Sequence, residues 1–96
     1  MPCDLSNMEL LILYILYRKK NFTEKAGYNH EKLKNILIKK YKQNFDDAIS
    51  VLKNNGYIGT VKKKEPKYYI FDFKKTITAL TAHGYHVINH GIIHLE

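Results

Sequence analysis

LKNILIKKYKQNFDDAISVLKNNGYI, residues 33–58, holds two short amphipathic patterns separated by a polar break. Leu33, Ile36, Leu37 and Tyr41 recur at helical spacing, and Asn29 just upstream is a residue type that caps helix N-termini. Lys32, Lys34, Lys39, Lys40 and Lys42 populate the remaining faces. Asn44 followed three positions later by Asp47 predicts a second capped helix, with Phe45, Ala48, Ile49 and Leu52 as its core stripe. Asn55-Gly56 ends it, because glycine takes the left-handed conformation that closes a helix. The stretch therefore predicts helix, turn and helix over about 29–55, running straight into a strand.

Downstream, residues 57–61 read as that strand, 62–67 with Pro66 as a turn, and 68–73 as the return strand. Lys74-Lys75 interrupts before another strand-like run at 76–80, so the hairpin region, about 57–80, is either three strands or one long bent one. Thr81 can cap a last helix over about 82–90. Upstream, Ser6 with Glu9 is a capping box, predicting a helix from Asn7 to Lys20. Asn21-Phe22-Thr23 suits a short strand, and Gly27 a turn. Positions 10–17, LLILYILY, are apolar on every side. Leu10, Leu13, Tyr14 and Tyr17 exceed what one small core can cover, so a second packing surface is expected. That surface is the C-terminal helix or a second copy in a homodimer, whose seam would join Leu10, Leu13, Tyr14 and Tyr17 to Val87 and Ile88.

Ninety-six residues make one domain, 1–96, and a hydrophobic fraction of 45% places it among globular chains. Cys3 stands alone, which rules out an intramolecular disulfide and fits a reducing, cytoplasmic setting. The apolar run is too short for a membrane span, and Asp4 and Glu9 stand where a signal peptide carries basic residues. Net charge is +7, concentrated in two blocks. Residues 30–44 and 60–75 carry +4 each, while 45–59 between them carries −1. Local basic blocks point to a polyanion-binding face. A solvated lysine surface is the alternative. Richness in Ile, Lys, Asn and Tyr is also what A/T-rich coding produces.

The helix-turn-helix of LKNILIKKYKQNFDDAISVLKNNGYI followed by the basic hairpin TVKKKEPKYYIFD resembles the winged-helix DNA-binding family. ALTAHGYHVI, residues 79–88, resembles the junction where Leu-Thr-x-x-Gly leads from the last strand of such domains into a terminal helix. The resemblance implies an α+β winged helix-turn-helix: a three-helix core, a β-hairpin wing and a C-terminal helix. It implies double-stranded DNA as partner and a small transcriptional regulator of archaeal or viral type. Its reading positions, on the second helix and the turn before it, are then Lys42, Gln43, Asn44, Asp46, Asp47, Ser50, Lys53 and Asn54. Gln and Asn can pair with adenine, and Lys53 can reach guanine or phosphate. Phosphate contacts fall to Lys39 and Lys40 on the first helix of the pair and to Lys62, Lys63, Lys64 and Lys67 on the wing. Lysines guarding an exposed edge strand are the alternative there. Asp46 and Asp47 depart from the pattern. They can accept from cytosine amino groups, or serve only the helix dipole at about 0.3–1 kcal/mol each.

His83, His86, His90 and His94 recur at intervals that would share one helical face, which makes a metal-responsive regulator conceivable. Gly91 interrupts that face and no second cysteine joins it, so neither metal nor cofactor is expected. No phosphate loop, Gly-x-Ser-x-Gly or Cys-x-x-Cys is present, so no catalysis is expected. A protein–protein module without nucleic-acid binding remains the main rival, with Asp46 and Asp47 as its support.

Overall fold

The computed structural model describes residues 5–39, 44–61 and 64–85. It is a small α+β domain of four helices and a three-stranded antiparallel sheet. Helix α1, Asn7–Arg18, starts at the expected capping box. The Glu9 amide donates to Ser6 Oγ at 3.2 Å, and the Ser6 amide donates to Glu9 Oε1 at 2.9 Å. Satisfying two end donors this way lets Glu9 lie buried. Met8, Leu10, Ile12, Leu13 and Leu16 are all in the core. This corrects the expectation for Leu10 and Leu13 as a seam between copies: both lie inside the domain, and only Tyr14 and Tyr17 remain half-buried.

The expected strand at 21–23 does not form. Asn21 and Thr23 are engaged locally. The Asn21 side-chain amide donates to the Ala26 carbonyl, and Thr23 Oγ1 accepts from the Ala26 amide at 3.3 Å, capping a 3-10 turn at Glu24–Ala26. Strand β1, Tyr28–Asn29, follows, and helix α2, His30–Ile38, begins at once with Asn29 as its cap. Leu33 and Leu37 are buried, but Ile36 is exposed, so α2 offers the core a narrower stripe than its pattern suggested. Tyr41 lies outside the described residues.

Helix α3, Phe45–Asn54, has Asn44 as cap and buries Phe45, Ala48, Ile49 and Leu52, as its sequence predicts. Strands β2, Ile58–Val61, and β3, Lys67–Ile70, form the hairpin, with Ile58 opposite Ile70 and Val61 opposite Lys67. Strand β1 adds to the free side of β3, with Tyr28 opposite Tyr68, so the sheet order is β1-β3-β2.

Beyond the hairpin the chain is helical where a strand was expected. Residues 76–80 are not a strand but the middle of helix α4, Phe73–Ala82. Asp72 caps it by accepting from the Lys75 amide at 3.0 Å. The core-facing residues Thr76, Ala79 and Leu80 keep helical spacing, which a five-residue alternation conceals. Thr81 therefore sits in the last turn of a helix instead of opening one. Helix α4 ends where a terminal helix was expected to begin, and residues 86–90 lie outside the described residues. Helix α1 packs against α3, α4 and β3, which accounts for its nearly all-round apolar surface.

Helices α1, α3 and α4 close with the same paired hydrogen bonds. Asn21, Tyr57 and Tyr85 donate their amides back to Leu16, Leu52 and Leu80 at 3.0, 2.9 and 2.9 Å. Each closure needs a left-handed residue, filled by Gly56 (φ 80°), Gly84 (φ 87°) and, at α1, Lys20 (φ 59°). A lysine there carries strain that glycine would not. Lys20→Gly should raise the stability by up to about 1 kcal/mol, and Gly56→Ala should lower it by about as much. Urea unfolding midpoints of the two variants against the parent would check both signs.

Candidate nucleic-acid interface

The buried stripe of α3 leaves Asn44, Asp46, Asp47, Ser50, Lys53 and Asn54 exposed. The Asn44 side-chain oxygen accepts from the Asp47 amide at 3.1 Å, so it caps the helix and its amide nitrogen is the group that can face outward. Asp46 and Asp47 lie in the first turn, as the dipole alternative requires. Of the expected phosphate contacts, Lys39 and Lys64 are exposed and Lys67 is half-buried in β3. Lys40, Lys42, Gln43, Lys62 and Lys63 lie outside the described residues.

The hairpin is fastened to the start of α2. The His30 amide donates to the Pro66 carbonyl at 2.9 Å. The Asn29 side-chain amide donates to Glu65 Oε1 at 2.6 Å. His30 Nδ1 and the Tyr68 hydroxyl are 2.5 Å apart. The His30 ring also meets Phe45 edge-on at 5.2 Å, and Phe45 lies 6.5 Å from the Tyr68 ring. One cluster thus joins the first residue of α2, the first residue of α3 and the middle of β3. Neither His30 nor Tyr68 stood out in the sequence. Their contact spans 38 positions, and the only local sign was a histidine placed directly after a capping asparagine.

Burial, and secondarily the Asp46 carboxylate, push the Tyr68 hydroxyl from its ordinary 10.0 up to about 12. The Tyr68 hydroxyl is therefore protonated at neutral pH, where it shares a hydrogen bond with His30 Nδ1. In the unfolded chain Tyr68 ionises near 10.0, while in the fold it holds its proton to about 12. Its contribution to stability is thus complete below pH 10.0 and is lost as pH rises towards 12. Tyr68→Phe should flatten that part of the profile, measured as urea midpoints across this range for variant and parent.

Lys75 was counted with the basic block of 60–75, but the fold uses it internally. Its ammonium donates to the Asn55 carbonyl at the end of α3 and lies 4.9 Å from the Tyr57 ring. A cation there complements the helix dipole and ties α4 to α3. Comparison with protein-family models, with curated proteins and with solved structures gave no match. Among the described residues no helix is long and apolar enough to cross a membrane, and no three His, Cys, Asp or Glu gather as a metal site. His83 is exposed just beyond α4, while His86, His90, Val87 and Ile88 lie outside the described residues.

Proposed function

We propose that this chain is a winged-helix domain that binds double-stranded DNA and regulates transcription by occupying it. The element order supports the fold reading: helix, strand, helix, helix, then a hairpin to whose second strand the first strand is added. The observation that carries the function is the fastening of the hairpin to α2 by three hydrogen bonds, with Phe45 of α3 packed into the same cluster. It makes the exposed face of α3 and the lysine-bearing hairpin a single preorganised unit. Helix α3 can enter a major groove about 12 Å wide while the hairpin lies along the phosphates. Preorganisation leaves little ordering cost at binding.

A gel shift at low salt with random-sequence duplex tests the proposal, because a DNA-binding domain carries non-specific electrostatic affinity. Retardation that weakens steadily with added salt is expected. No retardation at low salt would favour the rival, a protein–protein module, which the exposed carboxylates of Asp46 and Asp47 support. A homodimer fits the same function. Its seam would use Tyr14 and the Tyr85 ring 5.0 Å from it, not Leu10 and Leu13. Sedimentation showing only an 11.3 kDa species at micromolar concentration would remove the dimer.

A further inference from the structure

A second cluster of rings lies where α1 ends and α4 begins. Tyr17, Phe22 and Phe73 meet with centroids 6.3, 6.2 and 5.3 Å apart, the last pair edge to face. Phe22 and Phe73 are each 37% exposed. Phe71, which follows β3, is 68% exposed. It leaves the sheet beside this cluster, since the preceding Ile70 donates its amide to the Asn21 carbonyl at 2.7 Å. The left-handed turn at Lys20 sets Asn21 inside and Phe22 outside. Four exposed lysines, Lys19, Lys20, Lys25 and Lys74, flank the rings in sequence, against two carboxylates, Glu24 and Asp72. Asp72 already uses one oxygen as the cap of α4.

We infer that this aromatic patch is a stacking site for unpaired bases of single-stranded nucleic acid. Exposed rings offer π-faces to any base, and neighbouring lysines neutralise the phosphates between bases. A duplex satisfies such a surface less well, because its bases are already stacked and exposing their faces costs unstacking energy. A second copy of the chain fits poorly, because a two-fold interface would bring two surfaces of the same net positive charge together. The inference does not depend on duplex binding by α3.

The chain has no tryptophan, so Phe71→Trp supplies a single reporter at the edge of the patch. Its emission is followed while the full chain is titrated with oligo(dT) of about twenty nucleotides, and with an abasic oligomer of equal length and charge. Quenching by oligo(dT), with affinity on the order of ten-fold above the abasic oligomer, is expected. Phe71→Ala and Phe22→Ala, followed by anisotropy of labelled oligomer, should each weaken oligo(dT) binding several-fold while leaving abasic binding unchanged. Phe71 is the most exposed of these rings, so its variant tests the site without a folding penalty. Equal affinity for the two oligomers would reduce the site to bulk charge and overturn the inference. Unchanged oligo(dT) affinity in Phe71→Ala would overturn it as well. So would tighter binding to anionic vesicles than to oligo(dT), or a dimer in sedimentation that Phe71→Ala dissociates.

Discussion

Leu13→Ala should destabilise the folded monomer by about 2–5 kcal/mol, a large part of the roughly 5–15 kcal/mol that holds a domain of this size together. Leu13 is fully buried within α1, among residues drawn from several elements, so truncation removes apolar contact and leaves a cavity. The same substitution at a seam between copies would behave differently: it would dissociate a dimer and leave each copy folded. Urea unfolding at two protein concentrations tells the two apart. The expected outcome is a midpoint that falls by the same amount at both concentrations. A midpoint that shifts with concentration, together with an intact dilute monomer, would return Leu13 to an interface.

Replacing Lys62, Lys63 and Lys64 together by alanine should weaken binding to every duplex alike. Each neutralised phosphate contributes about 0.9 to the slope of log affinity against log salt, so losing three contacts lowers that slope by about 2.7. A point charge on a flexible stem carries no base information, which is why the loss should not depend on sequence. Lys75→Ala provides the contrast within the same basic block. Its ammonium is held on the end of α3 and over Tyr57, so its removal should cost about 1 kcal/mol of stability and leave the salt slope unchanged. Anisotropy titrations at several salt concentrations, beside urea unfolding, read both quantities. An unaltered slope in the triple variant would remove the hairpin tip from the interface.

Local chemistry made much of the fold legible. Ser6 with Glu9, Asn29, Asn44 and the Asn55-Gly56 stop each act within one helical turn, and each stands where the sequence places it. The hairpin was legible for the same reason. The two large errors, at 76–80 and at Leu10 and Leu13, are one error. Thr-Ile-Thr-Ala-Leu alternates over too few residues to separate a period of two from one of 3.6. Reading it as strand removed the helix that covers α1 and left Leu10 and Leu13 to a later helix or a second copy. Once Asp72 caps α4, α1 has its missing neighbour. The exposed face of α3 could be read from its stripe. The His30–Tyr68–Phe45 cluster could not, because nothing local ties residue 30 to residue 68. The role of Lys75 was not legible, because a charge count records how many cations a segment has and not where their ammonium groups point.

Residues 29–30 and 65–68 clasp one another beside Phe45, the first residue of α3. Helix α2 cannot leave the hairpin while that clasp holds, the Phe45 ring couples α3 to it, and the clasp cannot open without also freeing the two-residue edge strand. The part of the molecule that holds the candidate interface should therefore breathe as a single cooperative block, ordered or melted as a whole. A ligand that loosens Asn29 or His30 would then free the start of α3 through Phe45, without touching the exposed side chains of that helix.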